Sequence, residues 1–401
     1  MMSNALKLEF TDGDSHSVEE ISRVSKDLMD VLAGSQPDTT RPPGLLITNE
    51  DVRRIRRYVS TALALPTELN EVQYLLGYEA TDISGLEPQA IQALHADIKA
   101  HARTWTELET NMQKVGSDLY VFAGNLITIA VHMIEYVKSL DAYQTLQVGD
   151  LSPEQIDLMP PVELVEGDRK KLPGLLALVD DLKVYVKEHS ASTTRTRVGV
   201  TAFKRVLKDN IAPDVSLKIR LVSSGSPEAE VNRLTEEVAY LNQRIEQKLA
   251  EYEEFSDYKW IGFWWGVIPG IISVSIYGPK ATAALEEKDR LVEEKRKVEK
   301  NLESFNMLLA SLIAFETSLQ DLKSRVDGAA CGVSNIESLW VLLEELVDSS
   351  YDRIKNIHNG LYLVSFVSRF QTLMSNWTEI KGQAFDLLTA FNKALDEPSD
   401  H

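Results

Sequence analysis

The sequence predicts an all-α protein, in which an elongated bundle of long helices (the tail) carries a projecting antiparallel coiled-coil hairpin with a hydrophobic tip. Glycine and proline, which interrupt helices, number only 20 and 14 among 401 residues. Both are absent from residues 228–261 and 280–327, and helices of those lengths would measure about 50 and 70 Å. Apolar residues in both stretches recur at alternating steps of three and four, which is the spacing of a coiled-coil seam.

Shorter helices are predicted on the N-terminal side of these two stretches. We expect helices over about residues 18–32, 49–76, 88–143 and 174–209. The segments between them, residues 34–44 and 144–174, are rich in proline and glycine and are expected to be connections. Because each predicted helix has an apolar face, we expect these helices to pack together in the tail.

The first long stretch begins with the residues typical of a helix start, Ser226 as the N-cap and Pro227 at the first helical position. Because the two stretches are neighbours in the sequence, we expect them to pair as an antiparallel hairpin. The seam residues are Val231, Leu234, Val238, Leu241 and Ile245 in the first stretch, and Val298, Leu302, Phe305, Leu309 and Leu312 in the second.

A bend is expected where the second stretch ends, because residues 328–332 are all small and include Gly328 and Gly332. Two strongly apolar helices should follow, over about residues 334–357 and 361–395. The predicted domains are therefore a tail formed by residues 1–227 and 327–401, and a coiled-coil neck and head formed by residues 228–326, with the tip at residues 260–279.

The composition argues against several classes of function. Lysine and arginine number 42 against 61 aspartate and glutamate, a net charge of −19, so we expect no nucleic-acid partner, which would need a basic surface. The single cysteine, Cys331, allows no internal disulfide and no cysteine-rich metal site. The seven histidines show no metal-ligand spacing, and the sequence lacks a phosphate loop, a dinucleotide fingerprint and a nucleophile elbow. The sequence thus predicts no enzymatic activity, no catalytic residue, no cofactor and no metal.

The most unusual segment lies between Lys259 and Lys280, where 20 consecutive residues carry no charge. It contains three of the six tryptophans and occupies the position where a soluble coiled-coil hairpin would have a short polar turn. Its length suffices to cross a bilayer once as a helix, and its aromatic residues are of the type found at the headgroup boundary. We predict that the segment contacts a membrane through Trp260, Ile261, Phe263, Trp264, Trp265, Val267, Ile268, Pro269, Ile271, Ile272, Val274, Ile276 and Tyr277.

The glycines of this segment have a separate predicted role. Gly262, Gly266 and Gly270 recur every four residues and offer a flat face for close helix packing in lipid. Gly270 also follows Pro269, a pair that suits a turn halfway along the segment. The segment could therefore insert as a helical hairpin or cross once, and the alternation of apolar residues with serine over residues 272–276 also permits a β-tongue. A buried core hairpin or a contact between subunits is the remaining interpretation.

With this apolar tip set inside a long coiled coil, the chain resembles the ClyA-type α-pore-forming toxins, and more closely the A component of the binary α-xenorhabdolysin cytolysins. The resemblance is carried by the tip, Trp260–Pro279, and by the arms over residues 228–259 and 280–326. It implies a tail of bundled helices, a coiled-coil neck and head, and a hydrophobic foot that meets the target membrane. It also implies a second protein, the B component or B subunit, with which the chain would form a hetero-oligomeric, membrane-perforating ring. Gly328 and Gly332 would then form a hinge between tail and neck.

The predicted function is therefore that of a pore-forming cytolysin subunit that acts on lipid membranes together with a partner. Lipid contact would remove apolar area from water at roughly 25 cal/mol per Å², and a ring of many subunits would make that contact stable. The alternative is a cytosolic coiled-coil scaffold or membrane tether that docks through the same tip without forming pores. The N-terminal residues lack the apolar region of a secretory signal. We therefore expect synthesis in the bacterial cytoplasm, release by another route and action at the host-cell membrane.

Overall fold

A computed structural model describes residues 7–9, most of 22–33, residues 46, 48–146, 162–225, 229–255, 271–273, 279–303, 307–357 and 360–396. The all-α class that the sequence predicts is confirmed. The strands are β1 (Lys7–Glu9) and β2 (Ile271–Ser273), and a π-helical turn spans Leu207–Ile211. The helices with defined bounds are α1 (Asn49–Ala64), α2 (Leu69–Leu76), α3 (Pro88–Lys138), α4 (Asp141–Leu146), α5 (Glu166–Arg169), α6 (Leu172–Val206), α7 (Ala212–Gly225), α8 (Ala229–Phe255), α9 (Pro279–Glu303), α10 (Met307–Lys355) and α11 (Gly360–Asp396).

Local sequence signals explain where the first helices begin and end. Thr48 caps α1 through a capping box, in which its hydroxyl accepts from the backbone N–H of Asp51 at 3.2 Å. The helix expected over residues 49–76 is divided, because Pro66 cannot continue α1 and Gly77 ends α2 in the left-handed region at φ 73°. Pro88 occupies the first turn of α3, where its missing N–H costs nothing.

The tail is built from long antiparallel helices. Helix α3 packs against α11, where Gln113 donates to Asn392 at 3.1 Å. It packs with its other face against α6, which in turn lies antiparallel to the second half of α10. The α6–α10 contact includes the ion pair between Lys183 and Asp348, with an N–O distance of 2.5 Å.

Aromatic rings fill the centre of the tail. Phe122 of α3 meets Trp340 of α10 and Trp377 of α11 edge-on, with centroid distances of 5.0 and 5.4 Å. Both tryptophans are fully buried. The indole N–H of Trp340 donates to the hydroxyl of Thr193 at 2.8 Å, which satisfies the polar atom that burial would otherwise leave unpaired.

Helices α8 and α9 pair antiparallel, as the sequence predicts, and Arg244 bonds Glu287 across the pair at 3.0 Å. The second long stretch is not a single rod, however, and this part of the prediction is wrong. Helix α9 ends at Glu303, and α10 starts at Met307 and runs back along α9 in the opposite direction. Residues 304–306 lack glycine and proline, so the sequence contains no breaker that marks the reversal.

The hairpin and the tail share one continuous hydrophobic core. The six seam residues of α8, Val231, Leu234, Val238, Leu241, Ile245 and Leu249, belong to the same buried cluster as the tail residues. Among the described residues, Tyr252, Ala284 and Leu285 form a separate small cluster at the far end of the hairpin, where α8 ends and α9 begins. The seam of α8 is therefore part of the core of the protein body.

Strand β1 pairs with β2 in an antiparallel ladder, with Leu8 opposite Ile272 and Lys7 opposite Ser273. The N-terminal residues thereby meet a part of the uncharged segment that is more than 260 residues away in the sequence.

The bend expected at residues 328–332 is not found, because α10 continues as one helix from Met307 to Lys355. The predicted domain boundary at residue 327 therefore falls inside a helix. Gly332 has a different role, since a Cβ built there would lie 2.2 Å from the carbonyl oxygen of Leu46. The glycine lets the segment before α1 approach the backbone of α10 closely.

Candidate functional site

Most of the predicted membrane-contacting segment lies outside the described residues. This applies to Trp260, Ile261, Gly262, Phe263, Trp264, Trp265, Gly266, Val267, Ile268, Pro269, Gly270, Val274, Ile276 and Tyr277. Ile271 and Ile272 lie in β2, and Pro279 is the first residue of α9. The choice between a helical hairpin and a β-tongue therefore stays open for the segment as a whole.

The described arms fix where the segment is attached. Tyr252 near the end of α8 packs beside Ala284 near the start of α9, and both side chains are buried. The chain therefore leaves the body at the end of α8 and returns to the same place at the start of α9. The uncharged segment connects these two points in the sequence.

Charged pairs keep the outer faces of the arms in water. On α8, Lys248 bonds Glu251 at 2.6 Å, and the guanidinium of Arg244 lies 5.8 Å from the ring centre of Tyr240. On α9, Arg290 bonds both Glu287 and Glu294. These short-range pairs make the arms soluble up to the point where the uncharged segment begins.

One helical turn beyond the cluster of Tyr252 and Ala284, buried charges hold the hairpin against α10. Lys288 of α9 is completely buried, and its ammonium donates to Asp321 of α10 at 2.7 Å. Arg325 continues the network, because it bonds Asp321 at 3.1 Å, Asp289 of α9 at 3.2 Å and Asp51 of α1 at 2.5 Å. Burial alone would raise the pKa of Asp321, but the charges of Lys288 and Arg325 outweigh burial and hold that pKa well below its usual range.

A second polar cluster lies about two turns of α9 further along the same contact, at Lys295. Glu316 of α10 accepts hydrogen bonds from Lys295 of α9 at 3.1 Å, from Asn242 of α8 at 2.8 Å and from Ser216 of α7 at 3.1 Å. Burial lowers the pKa of Lys295 against the attraction of Glu316. Glu299 lies beside this cluster, where it accepts a hydrogen bond from the hydroxyl of Thr317.

Sequence reasoning missed these clusters, although a signal for them exists. The spacing of Ala284, Lys288, Leu291, Lys295, Val298 and Leu302 is a regular heptad seam with lysine at two of its positions. All six side chains are buried. The many charges of α9 hide this seam from any search for apolar residues alone.

Two of the described histidines, His95 and His101, have hydrogen-bond partners inside the tail. His101 accepts or donates at 2.8 Å with the hydroxyl of Tyr58 and at 3.1 Å with the backbone oxygen of Phe203, so both ring nitrogens are occupied. His95 meets the backbone oxygen of Pro66 at 2.8 Å. Within the described part of the chain, no group of three or more His, Cys, Asp or Glu residues is placed to hold a metal ion.

Asp118 and His189 form a buried pair in the tail, with 3.5 Å between the carboxylate oxygen and Nδ1. Burial would raise the pKa of Asp118, but its contacts with His189, Lys114 and Ser192 outweigh burial and lower the pKa to about 2. The ring of His189 also stacks on Trp340 at 5.5 Å. The pair thus links α3, α6 and α10 inside the bundle.

One groove is large enough for a small molecule. It has a volume of about 760 Å³ and lies between α3 and α6, over Leu108 and Phe203. It is far from the tip in the sequence, and His101 at its floor is already hydrogen bonded.

Among the described residues, α3 is long and apolar enough to cross a membrane by length and composition, and 44% of its most apolar window is buried in the bundle.

Comparison with known proteins gives the fold. Neither a protein-family model nor a curated protein matches the chain. Among solved structures, YaxA from Yersinia enterocolitica is 27% identical, and the match covers 87% of this chain and 98% of that one with a TM-score of 0.49. XaxA from Xenorhabdus nematophila is 21% identical over 88% and 98% of the two chains, with a TM-score of 0.45. Both are toxin components of the α-xenorhabdolysin type, the type that the sequence resembles.

The chain also overlaps in fold with soluble SmhA, from the tripartite α-pore-forming toxin Smh of Serratia marcescens. It has a TM-score of 0.50 at 11% identity, and the match covers 88% of this chain and 97% of that one. At this identity the likeness shows the fold alone. The chain therefore has the all-helical fold of SmhA over most of its length.

Proposed function

We propose that this chain is a subunit of a pore-forming toxin, which contacts a lipid membrane through residues 260–279 and perforates it as an oligomer. One observation carries the proposal: an uncharged segment of 20 residues is attached at both ends to the far end of a charged helical hairpin. Such a segment needs an apolar environment, which a lipid membrane supplies.

The fold supports this proposal, because SmhA, which shares it, is a component of a pore-forming toxin. The resemblance of the sequence to the α-xenorhabdolysin A component adds a finer proposal. In this proposal a second component, the B subunit, joins the chain in a hetero-oligomeric ring. The chain is made and released by a bacterium, and the ring acts on the membrane of a host cell.

The tryptophans of the tip should supply much of the membrane affinity. If each buries about 100 Å² of apolar surface at the headgroup boundary, it contributes about 2 kcal/mol. Replacing Trp264 and Trp265 by serine should therefore weaken binding to vesicles by at least about a hundredfold. Tyr74 of α2 provides the matched control, because it is 91% exposed and lies outside the hairpin.

The experiment is flotation and dye release with phosphatidylcholine vesicles. The natural chain and Tyr74→Ser should float with the vesicles, and the double tryptophan variant should stay in the protein fraction. Dye release, by the chain alone or after addition of the second component, establishes pore formation.

Two results would overturn the proposal. Binding without any dye release, with the second component present, would identify a scaffold or tether that docks through the tip. Equal flotation of the natural chain and the double tryptophan variant would show that the segment is not the membrane contact.

A further inference from the structure

We infer that the contact between α9 and α10 is a releasable joint, in which buried ion pairs hold the hairpin against α10 and let it leave with less apolar surface exposed than an entirely aliphatic seam would expose. The inference rests on the proposed function only for the role of the joint, which is to free the uncharged segment for contact with a membrane. The joint is defined by Lys288 and Lys295 on α9 and by Asp321 and Glu316 on α10.

The two sides of α9 are bound by different chemistry. Toward α8, the hairpin is closed by a seam whose α8 residues are all aliphatic, and Val238 and Ile245 are typical members. Toward α10, the seam lysines meet carboxylates, and both lysine side chains have no exposed surface. We therefore expect α8 and α9 to stay paired when α9 leaves α10.

Buried ion pairs add little net stability to a contact, but they restrict the alignments in which the contact can form. Removing two charges from water costs about as much as their attraction returns, so such a contact adds little net stability. When it opens, each charge recovers its hydration, whereas an opened apolar seam would remain in contact with water. The two lysines also fix the register, because each meets its carboxylates in a single alignment of α9 on α10.

The charges of the joint balance, which explains how they can be buried together. At the centre of the network, the three positive charges of Lys288, Arg325 and Arg54 meet the three negative charges of Asp321, Asp289 and Asp51. At its edge, Arg54 also meets Glu50 at 2.6 Å and Glu293 at 3.6 Å. Arg54 and Asp51 lie on α1, so release of α9 leaves Arg325 with Asp51 and Asp321. The tail therefore keeps its own ion pairs when the hairpin departs.

Opening can be followed with a buried thiol. Ser324 of α10 lies in the joint, where Lys288 donates to its hydroxyl at 3.3 Å, and it is 3% exposed. In a Cys331→Ser background, Ser324→Cys should react with a thiol reagent only when the joint opens. Ser350→Cys on the same helix is the matched control, because Ser350 is 4% exposed but lies in the tail core.

The decisive variant replaces the ion pair Lys288–Asp321 by Met and Leu, which keeps the remaining charges balanced. We expect Ser324→Cys to label about tenfold or more slowly in this variant, because opening now exposes an apolar seam. The control variant Arg290→Gln with Glu294→Gln removes the same two charge types from the exposed face of α9 and should leave the rate unchanged. Ser350→Cys should label slowly and at one rate in all of them.

The inference is overturned if the Met and Leu variant labels as fast as its parent, or if Ser324→Cys and Ser350→Cys label at the same rate. Should the variant not fold, as judged by circular dichroism, Lys295→Met combined with Glu316→Leu, with Thr317→Cys as the reporter, makes the same test in the Glu316 cluster. Because these labelling rates are measured without lipid, they test the joint independently of the proposed function. Addition of phosphatidylcholine vesicles should then accelerate labelling at Ser324→Cys and leave Ser350→Cys unchanged.

Discussion

Gly332 lies where the backbone of α10 touches the segment before α1, and its replacement by alanine tests how tightly the two are packed. An added Cβ would lie 2.2 Å from the carbonyl oxygen of Leu46 and 2.7 Å from its Cα. The two backbones would have to move apart by about 1 Å to remove this overlap. Neither atom belongs to a flexible side chain that could turn away.

The expected decrease in the free energy of unfolding of Gly332→Ala is the net result of two opposing effects. Overpacking of this kind costs about 1–3 kcal/mol, and contact with backbone atoms favours the upper end of that range. Alanine stabilises the folded state by about 1 kcal/mol relative to glycine, because it is a better helix former. The net result should be a decrease of about 1–2 kcal/mol in the free energy of unfolding.

The matched control is Gly382→Ala in α11. A Cβ at Gly382 has no heavy atom within 4 Å, so only the helix-propensity gain applies there. This variant should be more stable by about 0.5–1 kcal/mol.

The assay is urea unfolding followed by circular dichroism, with the three proteins compared under one condition. The reasoning predicts opposite signs for Gly332→Ala and Gly382→Ala. If Gly332→Ala is as stable as the natural chain but loses activity, the glycine acts as a hinge, as the resemblance implies. If Gly332→Ala is more stable than the natural chain, the close approach to Leu46 is refuted.

Two further predictions concern the tail core. The pKa of Asp118 is held near 2 in the folded state, so its stabilisation is present above its ordinary pKa of about 4 and is lost as the pH falls toward 2. Asp118→Asn should therefore lower the free energy of unfolding by about 1–2 kcal/mol at pH 7, and urea unfolding near pH 2 should show no difference. Trp340→Phe removes the hydrogen bond to Thr193 and part of a buried ring, so it should cost about 2 kcal/mol in the same assay. An unchanged midpoint would contradict the packing described for that ring.

The fold class could be predicted because breakers are rare and seams are regular. The pairing of α8 with α9 followed from sequence order and from the spacing of residues such as Val231 and Leu241. The reversal between α9 and α10 could not be predicted, because the residues between them include no glycine or proline. A continuous heptad pattern is equally compatible with one long helix and with two helices that fold back on each other.

The candidate site could be predicted only in part, because one of its features is a local sequence pattern and the other depends on how the helices pack. An uncharged run of 20 residues is visible in any sequence, so residues 260–279 could be identified directly. The ion pairs between α9 and α10 could not be predicted, because Lys288 and Asp321 are distant in sequence and each is a residue type commonly found on a helix surface. Only the packing of α9 on α10 shows that both are buried.

The most direct test of the central claim is quenching of tryptophan fluorescence by brominated lipids. Trp105, Trp340 and Trp377 are buried in the tail, with 2% or less of their surface exposed, so quenching in the bilayer should come from Trp260, Trp264 and Trp265. The account predicts that vesicles of brominated phosphatidylcholine quench the bound natural chain strongly and quench the bound Trp264→Phe, Trp265→Phe variant, which keeps two apolar rings for binding, much less. Bound protein whose fluorescence is the same in brominated and ordinary vesicles would contradict the claim that residues 260–279 enter the membrane.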